Sequence, residues 1–344
     1  MYVLGYGTRP EAIKLFPIAK EFNKRDIPFK TLFTGQHEDL ARDATIPMPK
    51  PDIILQNTMK HGQSINSLLS DIIKKSDSYF KKSKFKLIVQ GDAESGLALA
   101  MSAFNNHIEV AHVEAGLRTS NINSPFPEEM NRSVISRLSN IHFCHSESAV
   151  NNLKRENIIK NVYLVGNTIV DSVNFILNGS KPSKLISDII GNGPYFVATL
   201  HRRENRDIKF KKIWRELSNV SKKTKVIYIT HPSVEGLTLM SNSNIKVISP
   251  LNYVDMVHLL KKSKGVISDS GGIQEEVTSL NKFILICRDT TERKETIDSG
   301  LGLLVNSEVE KNINFLYQNP IILSDPIYGE NVSSKIVDIL EKNL

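Results

Sequence analysis

The sequence predicts an α/β chain built from parallel, doubly wound sheets. Short β-branched runs alternate with amphipathic stretches of helical spacing along most of its length, which is the pattern of strands joined by crossover helices. Charged residues follow several of those runs, where strand ends are expected. At 344 residues the chain exceeds one ordinary core, and a prior of about 150 residues per domain suggests two domains with a cleft.

The elements follow in order. Residues 3–6 read as a first strand, and Pro10 suits the first position of a helix in which Leu15, Ile18, Ala19 and Phe22 recur at helical spacing. Pro17 lies inside that helix and is expected to kink it. Residues 86–90, a helix around 95–104 and residues 108–113 make a βαβ unit, and 141–144 is a further strand-like run. After Tyr163-Leu164-Val165-Gly166-Asn167 and a short helix-like run come two breaker-rich stretches, at 179–183 and 191–194, which mark a change of domain. The second half repeats the scheme, with strands expected at 195–200, 226–229, 245–248, 265–268 and 283–287 and an amphipathic stretch at 254–260.

Composition excludes several classes. Hydrophobic residues are 40% and charged residues 24%, ordinary for a globular chain, and no apolar run nears the ~20 residues that span a bilayer. The start, Tyr2-Val3-Leu4-Gly5-Tyr6, reads as a strand and not as a signal peptide, so a cytoplasmic protein without membrane association is expected. The two cysteines, Cys144 and Cys287, lie in apolar surroundings and read as buried free thiols. Net charge is +7, with lysine clusters at 81–86 and 222–223 that lack interleaved aromatics; they read as solvated faces, and no nucleic-acid partner is expected.

The richest stretch is Asp269-Ser270-Gly271-Gly272-Ile273-Gln274-Glu275-Glu276, directly after the 265–268 run. A strand breaking into Ser-Gly-Gly and then into helix formers aims backbone N–H groups at an anion. Ser270 lacks a Gly-x-Ser-x-Gly elbow and reads as a helix cap and phosphate donor, not a nucleophile. Arg9, Asp92, Glu114, His201, His231 and Ser270 each follow a strand candidate, and ligands of open α/β sheets bind outside that edge. Asp92, Glu114 and Glu128 are carboxylates near strand ends or a helix start, and His201 sits in His201-Arg202-Arg203-Glu204-Asn205; such a set suits acid–base chemistry beside an anionic leaving group. The run His142-Phe143-Cys144-His145 reads as structural because alternate strand residues face opposite ways and no second cluster at zinc spacing exists, so no metal is expected.

Longer motifs carry a resemblance. Gly7-Thr8-Arg9-Pro10-Glu11-Ala12-Ile13-Lys14, Gln36-His37, Gly91-Asp92, His112-Val113-Glu114-Ala115-Gly116-Leu117-Arg118-Thr119, residues 124–132, Gly166-Asn167-Thr168, residues 201–205, 269–276 and Arg288-Asp289-Thr290-Thr291-Glu292-Arg293 resemble the non-hydrolysing UDP-N-acetylglucosamine 2-epimerase family, in order and over nearly the whole chain. The resemblance implies two Rossmann-like doubly wound domains in a GT-B-type arrangement, with the active site in the interdomain cleft. The implied domains are residues 1–170 plus 327–344, with a returning C-terminal helix, and residues 171–326, the UDP-binding domain. It implies inversion at C2 of a UDP-acetamido sugar, UDP-GlcNAc to UDP-ManNAc, without a cofactor, by a homodimer. On this resemblance Asp92, Glu114, Glu128 and His201 form the catalytic set. Arg9, Lys14, Arg293 and the Ser270, Gly271 and Gly272 backbone hold the diphosphate, and Glu276 accepts ribose hydroxyls.

The chain also departs from the family pattern. Ala93-Glu94-Ser95 follows Asp92 where threonines are usual and adds an acid near the sugar. Leu251 and Met256 stand where a polar residue and an aromatic are common, and Glu38 replaces a basic residue before the proline-rich 47–51 stretch, a neighbourhood that binds a regulatory UDP-GlcNAc in bacterial members. The alternatives are a hydrolysing epimerase releasing ManNAc, an epimerase of another UDP-acetamido sugar, a GT-B glycosyltransferase, and a nucleotide-sugar-binding or polyanion-binding protein with a decayed site.

Overall fold

The computed structural model describes all residues except 37–45, 61, 83, 192, 202–207, 231–243, 319–325 and 343–344. Of the sequence motifs, His37, Glu38, residues 202–205 and His231 lie outside the described residues. Contacts divide the chain into two compact units, Met1–Ser172 with Tyr328–Leu344 and Val173–Ile327.

The first unit opens with strand β1 (Tyr2–Tyr6), helix α1 (Arg9–Lys24), β2 (Phe29–Phe33) and β3 (Ile53–Ile54). It continues with α2 (Ile65–Phe80), β4 (Lys86–Gln90), α3 (Glu94–Asn105), β5 (Val110–Ala115) and α4 (Glu128–Leu138). Then come β6 (Ile141–Cys144), α5 (Glu147–Arg155), β7 (Val162–Leu164) and α6 (Ile169–Gly179), in which the division between units falls. The division therefore precedes both breaker-rich stretches, and the chain between those stretches is the helix α7 (Lys184–Gly191).

The second unit holds β8 (Tyr195–Thr199), α8 (Ile208–Ser221), β9 (Lys225–Ile229), β10 (Ile245–Ile248), α9 (Tyr253–Lys262), β11 (Gly265–Ser268) and α10 (Gly271–Ser279). It ends with β12 (Ile284–Ile286), α11 (Lys294–Asp298), β13 (Gly302–Leu304), α12 (Val309–Asn312) and a 3₁₀ turn, Ile313–Tyr317. The last helix, α13 (Val332–Lys342), belongs to the first unit. There Arg25, at the end of α1, pairs with Glu341 at 2.9 Å and also with Asp338.

All sheet pairings are parallel, in the orders β3-β2-β1-β4-β5-β6-β7 and β10-β9-β8-β11-β12-β13. Each is the order of a doubly wound, Rossmann-like sheet, and the direction of winding reverses between β1 and β4 in the first and between β8 and β11 in the second. The central strands β1, β8 and β11 are buried throughout, as both-face coverage of a parallel sheet demands. Val3, Leu87, Val89, Leu97, Ala98 and Ile72 anchor the first core; Phe196, Trp214, Tyr228, Ile267 and Leu285 anchor the second.

Local signals explain why helices begin where they do. Thr8 and Glu11 form a capping box at α1, Pro10 occupies its first turn, and the helix runs on through Pro17. Ser270 caps α10 by accepting from the Ile273 N–H. One strand differs from expectation: β5 continues to Ala115, so Glu114 lies inside the strand and not after it. The register shifts between Val113 and Ala115, and Glu114 takes a φ of 66° on the resulting bulge. A non-glycine residue in that left-handed region costs about 1–3 kcal/mol, and such strain collects at functional sites.

Candidate functional site

Reversal of winding opens a crevice at the carboxyl edge of an α/β sheet, and in both units the polar residues gather there. In the first unit the turn after β1 comes closest to its neighbours at Gly7, where a Cβ would lie 1.9 Å from Ser95 Oγ and 2.0 Å from Thr34 Oγ1. Only glycine fits. The following turn is held by Glu11, whose Oε2 accepts from Gly7 N at 3.0 Å, Thr8 N at 2.7 Å and Thr8 Oγ1 at 2.8 Å. Burial pushes the Glu11 carboxyl up to about 7, against these hydrogen bonds, which lower it. Arg9 starts α1 from this turn, half-buried.

Asp92 and Glu114 come from neighbouring strands, one just past β4 and one on the β5 bulge. Each meets its own cation. Asp92 pairs with Arg132, which also binds Glu129 at 3.1 Å. Glu114 pairs with Lys14 in a buried contact and accepts from Gln90 Nε2 at 2.5 Å. Lys14, expected on a phosphate, thus lies against a carboxylate 100 residues away in sequence.

The Asp92 turn is pinned twice more. Asn131 Nδ2 donates to the Asp92 carbonyl at 2.9 Å, and His112 Nε2 lies 2.8 Å from the Gly91 carbonyl. Burial pulls the His112 imidazole down to about 3, so it is neutral near pH 7 and its Nε2–H is the donor. Glu128 is the first residue of α4 and half-buried, while Glu129 accepts from Thr119 N at 2.9 Å and Ser120 N at 3.0 Å. Glu129 therefore shapes the loop before α4.

In the second unit His201 follows β8 and Asp269 follows β11, the two strands flanking the reversal. Asp269 is fully buried and receives His201 N at 3.0 Å, with His201 Nδ1 3.1 Å away. That contact commits Nδ1 to the carboxylate and turns the Nε2 edge away from it. Gly271 and Gly272 open α10, and their N–H groups have no partner four residues back within the helix.

The two glycines differ. A Cβ on Gly271 would lie 2.6 Å from Arg293 Nη1, whereas one on Gly272 would meet nothing within 4 Å. Arg293 therefore packs on the glycine backbone, where Glu275 at 2.8 Å and Glu292 hold it. Arg288 binds the same Glu292 at 2.7 Å, and Thr291 Oγ1 donates to Gln274 at 2.7 Å, which fastens the 288–293 loop to α10. Glu276 is buried on α10, one residue past Glu275.

Gln90 ends the 86–90 strand candidate, and His112, Arg132 and Asp269 lie within the sequence motifs, but the sequence does not reveal the partners of these four. Among the described residues no group of three or more His, Cys, Asp or Glu is arranged to hold a metal ion. His142 Nε2 donates to the Ser136 carbonyl at 2.9 Å, and both cysteines are buried and outside any disulfide. No described helix is long and apolar enough to cross a membrane.

These sheets and their polar edges define an α/β protein with two Rossmann-like units. A family profile described as UDP-N-acetylglucosamine 2-epimerase matches residues 20–341. The chain is 34% identical to a UDP-N-acetylglucosamine 2-epimerase of Salmonella borreze, over 97% of this chain and 96% of that one. It is 36% identical to a namesake from Campylobacter jejuni, over 88% and 85%. Its fold matches the crystal structure of UDP-GlcNAc 2-epimerase from Neisseria meningitidis bound to UDP-GlcNAc, with a TM-score of 0.90, 34% identity and full coverage of both chains. The Methanocaldococcus jannaschii enzyme in complex with UDP-GlcNAc and UDP matches with a TM-score of 0.87, 31% identity and 99% coverage of each chain. The chain belongs to the UDP-N-acetylglucosamine 2-epimerase family.

Proposed function

We propose that this chain is a non-hydrolysing 2-epimerase that interconverts UDP-GlcNAc and UDP-ManNAc without a cofactor. The observation that carries this reading is the pair Asp92 and Glu114 on adjacent strand ends, each set against its own cation. Two acid–base groups suit a reaction in which a proton leaves one face of C2 and returns to the other.

The C2 hydrogen has no neighbouring carbonyl, so its removal needs C1–O cleavage to run ahead and leave oxocarbenium character at C1. UDP departs with the electron pair of the C1–O bond. A carboxylate takes the C2 proton, and the C2–H pair becomes the C1=C2 bond of a 2-acetamidoglucal. An acid then protonates C2 from the opposite face as a β-phosphate oxygen of UDP re-forms the bond to C1. Asp92, Glu114 and Glu128 supply the proton-transfer groups, and His201, oriented by Asp269, acts beside the diphosphate.

The Ser270–Gly272 helix start and Arg9 hold the diphosphate, with Arg293 fixed against the same turn and Glu276 accepting from the ribose. Lys14, against Glu114 in a buried ion pair, fixes the place of that carboxylate. The working form is a cytoplasmic homodimer.

The test is incubation of the pure protein with UDP-GlcNAc in D₂O, followed by proton NMR. Loss of the C2 proton signal and growth of the UDP-linked manno epimer are expected. Release of free ManNAc in place of that epimer would identify the hydrolysing subtype, and no exchange at C2 would overturn the proposal.

A further inference from the structure

The turn that carries Asp92 also carries a carboxylate that the reaction above does not use. Glu94 is the first residue of α3, half-buried, two positions past Asp92. Its Oε2 accepts from Gln36 Nε2 at 2.7 Å. The Gln36 amide cannot be turned the other way without loss, because its Oε1 accepts from Ser95 N at 3.0 Å and from Ser95 Oγ at 2.5 Å. Ser95 Oγ is in turn 2.8 Å from Thr34 Oγ1, and Gly7 leaves the space both hydroxyls occupy.

This network joins the ends of β1, β2 and β4 at the point where the first sheet reverses its winding. Such a built arrangement orients Glu94 at the crevice edge, as a side chain on a mobile loop would not be oriented. Ala93, the residue preceding α3, makes no side-chain cap; the helix start is held by Gln36 and Ser95 instead.

We infer that Glu94, oriented by Gln36, is a specificity-determining residue that selects acetamido sugars carrying hydroxyl or ammonium donors and rejects those carrying a carboxylate. A carboxylate has only acceptor oxygens. It rewards a donor on the sugar and repels an acid group brought to the same crevice. The inference rests on the proposed UDP-sugar epimerase function, because that function puts the sugar beside Asp92.

The experiment compares UDP-GlcNAc with its C6-carboxylate analogue, UDP-N-acetylglucosaminuronic acid, in the parent protein, Glu94→Gln and Glu94→Ala. Dissociation constants come from calorimetry and kcat/KM from C2 exchange. Glu94→Gln keeps an acceptor for Gln36 and removes the charge. The parent is expected to favour the neutral sugar, and both variants to narrow that preference by about 10- to 100-fold, with affinity for UDP alone unchanged. A preference that stays within twofold of the parent in both variants, or a parent that binds the two sugars equally, overturns the inference. Failure of turnover with sugar binding intact would instead strike at the epimerase proposal, since the binding ratio still reads the role of Glu94.

Discussion

The first sheet meets its crevice with side-chain charge, and the second meets it largely with backbone. At the first edge Asp92 and Glu114 are ion-paired to Arg132 and Lys14, and the turns around them are pinned by His112, Asn131 and Glu11. At the second, Ser270, Gly271 and Gly272 present the start of a helix, and the nearby cation Arg293 is itself neutralised by Glu275 and Glu292. Charge that must be positioned to move a proton needs partners that fix its place. An anion that must be bound and released is better served by fixed dipoles, which need no counterion. The division implies that damage to one edge and damage to the other should leave different signatures.

The largest expected effect is at the first edge. Glu114→Gln keeps the size and the hydrogen bond to Gln90 while removing a proposed proton-transfer group, and kcat for C2 exchange is expected to fall about 1,000-fold. UDP affinity, read by calorimetry, should stay close to that of the parent; parallel losses in both would erase the distinction between edges. A smaller effect of opposite kind is expected at the second edge. Gly271→Ala forces Arg293 off the turn, and UDP should bind about tenfold more weakly, with thermal stability reduced as well. Gly272→Ala meets no neighbour within 4 Å, so its melting temperature should match the parent even if UDP binding weakens. Equal destabilisation by the two alanines would contradict the packing of Arg293 on Gly271.

The smallest expected effect concerns pH and confines itself to the first unit. Glu11 has its carboxyl raised from 4.5 to about 7, so the folded unit holds more protons than the unfolded chain in that window and stability from this group falls as pH rises through it. His112 is lowered from 6.5 to about 3, so the unfolded chain holds more protons between those values and stability from this group is lost as pH falls. The two slopes oppose each other between pH 4.5 and 6.5, each at most about 1.4 kcal/mol per pH unit. The parent should therefore show a nearly flat stability in that window. Glu11→Gln should leave the His112 slope exposed, with stability rising toward pH 6.5 in urea titrations followed by circular dichroism. Identical pH profiles for variant and parent would contradict the burial of an ionisable Glu11.

Much of this architecture is legible in the sequence because parallel strands are buried on both faces and read as apolar runs. The runs 86–90, 141–144 and 265–268 become strands with those bounds, and so does 245–248, an edge strand whose Lys246 and Val247 are exposed. β2 and β13 are not legible: Phe29-Lys30-Thr31-Leu32-Phe33 interrupts its run with a lysine, and Gly302-Leu303-Leu304 is short. The bulge at Glu114 leaves no composition signal, since left-handed backbone at a glutamate is imposed by the neighbouring strands. Candidate chemistry was visible as residue types at strand ends, whereas the pairing that organises it was not. Lys14 with Glu114 and Arg132 with Asp92 are contacts across long sequence separations, and a cation beside a strand end reads equally well as a phosphate ligand until its partner is seen.

The proposed function requires C1–O cleavage to release UDP before or as the C2 proton is exchanged. It is tested most directly with UDP-GlcNAc carrying ¹⁸O in the bridge between C1 and the β-phosphorus. Cleavage of the C1–O bond frees the β-phosphate to rotate, so ¹⁸O should appear in non-bridging positions at least as fast as deuterium enters C2, followed by phosphorus NMR. Deuterium entry with the label still wholly in the bridge would contradict the account.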